Sequence, residues 1–313
     1  MTRSKLAAAL LAVLAPLAAV GQPALDAVHD EHGELIMALD DDGVLHELTR
    51  EGWLTVGEPC PTAGPYSLQL LKLPGYDTTA FIFVIDGVGR IYQTDSTAWL
   101  ELQSPPAAAE APCLGELFNP TAGGVDTLLV DAGGALFVNE GEASWRSVEA
   151  TLPGAPRDLE VFFEGATLTA NPFVLADDNR LYGFVDDAWQ PSETFGAAAR
   201  LNRLELHVDD ETGGVLLLSV DEDGRIYDNN ATGELAPTDH EPCPGDGPWE
   251  LKLFFVDGGF DLLCLDSAGR LYQALDGSWN QVCDPFPSPD SAQAAPISDA
   301  PRSARAPGLE VEG

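Results

Sequence analysis

Lysine is nearly missing: of 313 residues only Lys5, Lys72 and Lys252 are lysines, and methionine occurs twice. Fifteen Lys and Arg stand against 51 Asp and Glu, a formal net charge of −36. A surface of that sign repels phosphate backbones and anionic lipid, which excludes nucleic acid and charged membrane surfaces as partners. The acidity reads first as a device for solubility and second as the mark of a cationic partner. Also missing after residue 22 is any helix-length amphipathic pattern. There is no GxSxG elbow, HExxH helix, P-loop or dinucleotide fingerprint, and no two cysteines stand at CxxC spacing, so the common nucleophilic, zinc and nucleotide chemistries have no anchor here. The five histidines (His29, His32, His46, His207, His240) are scattered. His29 and His32 lack a third partner, and the run Asp40, Asp41, Asp42 and the group Asp209, Asp210, Glu211 lack the alternate spacing of an EF-hand loop, so no cofactor is expected beyond a weak surface calcium site.

What the chain has instead is a repeat. In Phe260 to Trp279 an apolar run ends in Asp266, a turn closes at Gly269, a second strand carries Arg270, Leu271 and Tyr272, and a third begins at Trp279. The same turn recurs at Gly43, Gly89, Gly134, Asn179 and Gly224, at spacings of 46, 45, 45, 45 and 45 residues up to Gly269. Asp40, Asp86, Asp131, Asp221 and Asp266 stand three residues ahead, where a carboxylate can bind the turn's amides. Gly, or Asn in its place, takes the positive φ such a hairpin needs. A ring follows three residues later (His46, Tyr92, Phe137, Tyr182, Tyr227, Tyr272), then Trp53, Trp99, Trp145, Trp189 and Trp279. The fifth unit has Glu234 and Leu235 where its Trp should be, so that unit should be poorly packed at its outer strand. These repeated residues are read as structural.

Four short strands per unit of about 45 residues, six times over, predict an all-β six-bladed β-propeller of four-stranded blades over residues 22–284. The second strands, AFIFV and VLLLSV among them, are apolar on both faces, as strands sandwiched between neighbouring blades must be. Residues 1–21 read as a secretory signal peptide: MTRSK is basic, LAAALLAVLAPLAAV is apolar, and Ala19 and Gly21 are small. That stretch is too short for a membrane span, so the mature chain is expected to be secreted or periplasmic. Residues 285–313 shift to Pro, Ala, Ser and Asp and read as a disordered tail. Five cysteines in an exported chain predict disulfides. Cys264, inside an apolar strand, is the natural free thiol, leaving Cys60, Cys113, Cys243 and Cys283 for two bridges of unknown pairing. Asn230, Ala231, Thr232 is a glycosylation sequon, meaningful only in a eukaryotic host.

The candidate site comes from the first strand of each unit, where apolar, charged, apolar recurs: Leu25, Asp26, Ala27; Leu71, Lys72, Leu73; Leu159, Glu160, Val161; Leu204, Glu205, Leu206; Leu251, Lys252, Leu253. In a propeller the first strand lies nearest the axis, so alternation directs Asp26, Lys72, Glu160, Glu205 and Lys252 toward a common channel. There they form either a ring of mutually neutralised charges or a site for a small polar ligand.

The blade pattern, in VIDGVGRIYQTDSTAW (84 to 99), SVDEDGRIYDNN (219 to 230) and CLDSAGRLYQALDGSW (264 to 279), resembles the tectonin-type propeller repeat. The second strands depart from it in lacking a Trp before the Asp. The resemblance implies sugar sites built between blades. Blades that stay alike favour a monomeric, non-enzymatic exported binding protein, lectin-like or adhesive, for a glycan or an extracellular protein. The alternative is a metal-dependent hydrolase with a carboxylate-held cation in the channel.

Overall fold

The computed structural model describes residues 22–30, 33–72, 80–94, 97–118, 125–139, 144–164, 169–193, 200–208, 215–229, 235–256 and 259–287. Residues 1–21, expected to be a signal peptide, residues 288–313, His32, the Asp209 group and the sequon at Asn230 lie outside them.

The described chain is all β, six four-stranded antiparallel sheets in sequence order. Blade 1 is β1 (Ala24–Asp30), β2 (Gly33–Leu39), β3 (Leu45–Thr49) and β4 (Gly52–Val56). Blade 2 is β5 (Tyr66–Lys72), β6 (Ala80–Asp86), β7 (Ile91–Thr94) and β8 (Trp99–Gln103). Blade 3 is β9 (Leu114–Phe118), β10 (Asp126–Val130), β11 (Ala135–Asn139) and β12 (Arg146–Thr151). Blade 4 is β13 (Pro156–Glu164), β14 (Thr169–Ala176), β15 (Leu181–Val185) and β16 (Ala188–Glu193). Blade 5 is β17 (Leu201–Val208), β18 (Val215–Asp221), β19 (Ile226–Asp228) and β20 (Ala236–Pro237), and blade 6 is β21 (Glu250–Val256), β22 (Gly259–Leu265), β23 (Leu271–Leu275) and β24 (Ser278–Cys283). The first strands touch in the cycle β1, β5, β9, β13, β17, β21 and back to β1, so the ring is closed and the fold is a six-bladed β-propeller.

Each interface between blades has its own core. In β6 all seven residues are buried. Ile82 and Val84 point into the core shared with blade 1, while Phe81, Phe83 and Ile85 point into the core shared with blade 3. Strict alternation with apolar residues on both faces is what a sheet covered on both sides requires. The blade 5 outer strand, where no Trp stands, shrinks to two residues.

The hairpin turns follow the expected chemistry. Gly43, Gly89, Gly134, Gly224 and Gly269 have φ between 75° and 86°, and Asn179 has φ 62°. The Oδ1 atoms of Asp86, Asp221 and Asp266 each accept N–H bonds from residues two and four positions on. Over these turns runs the chain leaving each blade: Cys60 N–H donates to Gly43 O at 2.7 Å, Leu152 to Gly134 O at 2.9 Å and Cys243 to Gly224 O at 2.7 Å. The outer tryptophans brace the same connections, with Trp99 Nε1 donating to Glu58 O, Trp145 to Ser104 O and Trp279 to Glu241 O. They are structural fixtures of the blade seams.

One sequence expectation, the cysteine pairing, is corrected here. The four cysteines expected to pair lie in separate cores: Cys60 between blades 1 and 2, Cys113 beside Leu129 and Phe137, Cys243 between blades 5 and 6, and Cys283 between blades 6 and 1. All five thiols are free and buried, and the cysteine assigned no partner, Cys264, is the one that shares a core with another, Cys243. The described chain runs three residues past the boundary expected at 284. Phe286 packs with the core between blades 6 and 1, its ring stacked on His46 at 4.4 Å and tilted against Trp53 at 5.4 Å. It covers Gly269 as Leu152 covers Gly134.

Candidate functional site

Strand register decides which first-strand residues share a level. Asp26 pairs with Met37, Gln69 with Phe83, Glu116 with Leu128, Glu160 with Phe173, Glu205 with Leu218 and Lys252 with Leu263. Each of those partners stands six residues before its own turn residue, so Asp26, Gln69, Glu116, Glu160, Glu205 and Lys252 form one level, one per blade. Four of the expected channel residues are brought there: Asp26, Glu160, Glu205 and Lys252. Lys72 is not. It pairs with Ala80 at the end of β5, exposed, three residues past the level. Its place is taken by Gln69, which carries no charge. Glu116 does not show the apolar, charged, apolar pattern because its neighbours are Gly115 and Leu117.

The level laces the first strands together. Asp26 Oδ2 accepts the Leu70 N–H of the next blade, Gln69 Oε1 the Leu117 N–H at 2.7 Å, and Glu205 Oε1 the Leu253 N–H at 3.2 Å. Asp158, two residues before Glu160, accepts the Leu204 N–H at 2.6 Å. Lys252 Nζ closes the circuit, 3.1 Å from Asp26 Oδ1 and 3.2 Å from Glu205 Oε1. Beside it Arg203 lies 3.1 Å from Asp158 Oδ1 and 2.7 Å from Glu250 Oε2.

The charges do not balance. Six carboxylates (Asp26, Glu116, Asp158, Glu160, Glu205, Glu250) face two cations, Lys252 and Arg203, an excess of four. Burial, with the neighbouring carboxylates adding and Lys252 offsetting, pushes Glu116 and Glu160 well above the usual carboxylate range. Burial also pushes Glu205 to about 7 against the pull of Lys252, and Glu250 to about 7 against that of Arg203. Burial works against the Lys252 ammonium, but Asp26, Glu205, Glu160 and Glu116 outweigh it and raise its pKa well above normal. The shared excess of carboxylate favours the protonated form of these groups.

Among the described residues no group of three or more His, Cys, Asp or Glu is arranged to hold a metal ion. Asp40, first of the acidic run, already accepts from Asp42 N–H and Val44 N–H and lies 3.0 Å from His46 Nε2.

A concave feature lies at the outer strands β4 and β24, where blade 6 meets blade 1. An open cleft of about 590 Å³ is lined by Arg50, Glu51, Trp53, Gln281 and Asp284, with Val282 and Pro285 among its apolar walls. Trp53 is held from behind by its Nε1 bond to Gly269 O at 2.8 Å and by the Phe286 ring. Gln281 Nε2 donates to Asp284 Oδ1 at 3.1 Å. A cleft with planar polar side chains around a fixed indole can take a ligand that has one apolar face and several hydroxyls. Neither flank predicts it from sequence, because Arg50 and Gln281 are 231 positions apart.

No protein-family model matches the chain, and no curated protein matches it. Solved structures do match in fold. The Aleuria aurantia lectin, as a mutant in complex with Fucα1-6GlcNAc, superposes with a TM-score of 0.59 at 12% identity, covering 86% of this chain and 98% of that one. A mutant of AofleA from Arthrobotrys oligospora gives 0.56 at 11%, covering 83% and 85%. The SapL1 lectin in complex with α-methyl fucoside gives 0.56 at 9%, covering 85% and 96%. At these identities the likeness is one of architecture, the six-bladed ring.

Proposed function

We propose that this chain is an exported, non-enzymatic, lectin-like binding protein that acts as a monomer and takes a saccharide in the cleft between blades 6 and 1. The observation that carries this reading is the cleft itself, with Arg50, Glu51, Gln281 and Asp284 arranged around Trp53. Sugar hydroxyls pair with such planar charged and amide groups, and the C–H face of a pyranose packs on an indole. Two neighbours in fold are named as complexes with fucosides, which makes fucosylated glycans the first ligands to try. Export rests on the basic, apolar and small-residue sequence of residues 1–21. The axial level, laced into itself and short of cations, is assigned to holding the ring together.

The test is a glycan array in chelator-containing buffer, followed by titration calorimetry on the best binder. Arg50→Ala and Glu51→Ala, both at exposed positions, should each weaken binding about tenfold or more, about 1.4 kcal/mol, without shifting the melting temperature. If no glycan is retained, or if both variants bind as tightly as the parent, the reading is wrong.

A further inference from the structure

The connection leaving an odd-numbered blade passes over that blade's turn glycine and sets one side chain against the second strand of the next blade. At the seam of blades 1 and 2 this juxtaposes Cys60 with Val84, and at the seam of blades 3 and 4 Leu152 with Val174; each pair lies within one core. Val84, Val174 and Cys264 are equivalent, each five residues before its turn residue and each paired to a first-strand leucine (Leu68, Leu159, Leu251). At the seam of blades 5 and 6 the same two positions are Cys243 and Cys264. Both are buried, at 5% and 0% exposure, in a core with Leu218, Val220, Trp249 and Tyr272. The Cys243 thiol lies close enough to that of Cys264 to act on its ionisation. Of the five cysteines no other two share a core.

We propose that Cys243 and Cys264 are a disulfide-forming pair, which in an oxidising environment ties the connection between blades 5 and 6 to β22. With a low-molecular-weight disulfide as oxidant the balance is complete. The Cys243 thiolate attacks RSSR and releases one RSH, giving a mixed disulfide. Cys264 then attacks the Cys243 sulfur, loses its proton and expels the second RSH. Cys243 takes the first step because it lies on a connection and Cys264 is enclosed in the middle strand. Burial, and the adjoining Cys243 thiol, push the Cys264 thiol well above its ordinary value, so the second step is slow and waits on opening of the connection. Closing the 22-residue loop from 243 to 264 restrains the unfolded chain and should raise the melting temperature by several degrees.

The experiment uses the full-length mature protein in a glutathione redox buffer, at a denaturant concentration below the unfolding transition, until thiol content no longer changes. Alkylation after denaturation then counts free thiols, and peptide mapping locates any bridge. The expected result is three remaining thiols, one linked peptide pair carrying Cys243 and Cys264, and a melting temperature that falls back on reduction. Cys264→Val, which restores the valine found in two other blades, should fold, keep four thiols and show no shift with oxidant. As an independent arm, Val84→Cys should give Cys60 a partner and yield a second bridge of the same kind. Five thiols at the end point in the parent, or a bridge joining any other two cysteines, would overturn the proposal.

Discussion

Phe286 offers the sharpest test of how the ring is closed. At the seams within the chain a connection covers the turn glycine on its way to the next blade, as Cys60, Leu152 and Cys243 do. Among the described residues no further blade follows blade 6, yet Gly269 is still covered, by the ring of Phe286. That ring stacks on His46, itself 1% exposed, and leans on Trp53, both from blade 1. Replacing a fully buried Phe by Ala costs about 3–5 kcal/mol. Phe286 is half-buried, so its hydrophobic share is about 2 kcal/mol, and loss of the stack adds about 0.5–1 kcal/mol. For a chain of this size that corresponds to a fall of about 5–8 °C in melting temperature. Thermal melts of four proteins would decide it: the parent, Phe286→Ala, a chain ending at Cys283 and a chain ending at Pro287. The second and third should fall together, the truncation by at least as much as the substitution. The fourth should match the parent. A Phe286→Ala protein that melts with the parent would refute the assignment of Phe286 as the closing residue.

The axial level predicts a pH dependence. Glu205 and Glu250 titrate near 7 in the folded state against 4.5 ordinarily, so the folded protein binds more protons than the unfolded one between those values, and stability falls as pH rises through that window. Each shift is worth at most about 3 kcal/mol. Melting temperature should peak near pH 5 and decline toward pH 8, and Glu116→Gln with Glu160→Gln should flatten the decline at the alkaline end; a flat parent profile would contradict the buried excess of carboxylate. Lys252→Ala leaves Asp26 and Glu205 without their cation and should cost about 3 kcal/mol at pH 8, and less at pH 5, whereas Lys72→Ala, at an exposed position, should stay within about 0.5 kcal/mol in urea unfolding. Equal effects of the two would undo the strand register. Gly134→Val must place its Cβ 2.5 Å from Leu152 Cβ and 2.9 Å from Leu152 N at a φ of +77°, so a loss of about 2 kcal/mol or more is expected by the same assay.

The architecture was legible because two independent signals repeat with one period. The turn needs a residue tolerant of positive φ in every blade, with Asp three residues ahead in five of the six, and the strands need apolar residues on both faces, so drift elsewhere in the sequence leaves both signals intact. The axial level was legible only where the side chain carries charge. Gln69 does the same work as Asp26, accepting a backbone N–H from the next blade, and a lacing role constrains only the presence of an acceptor. The only charge on β5 therefore stands three residues past the level, at Lys72.

The cysteines and the closing seam were illegible for a different reason. Reading one strand at a time, a cysteine within an apolar run looks enclosed by its own sheet. In a propeller the middle strand's face is covered by the preceding connection, so the deepest cysteine of blade 6 is the one most certain to meet whatever residue that connection carries, here Cys243. The same geometry places blade 1 beside blade 6 across more than 200 residues of sequence, and brings Arg50 and Trp53 to the edge that Gln281 and Asp284 occupy. A closed ring makes one seam that no local pattern encodes. There the chain has no connection to spend on covering Gly269 and must use residues past its last strand, so the cleft at that seam is walled by Pro285 and Pro287 instead of by a following blade. The proposed saccharide site at this seam, built from residues free of the repeat, predicts one saccharide per chain where six like blades alone would imply several. Calorimetry on the best glycan should return a stoichiometry of about one. A value near five or six would move the ligand to the repeated blade faces and away from the seam.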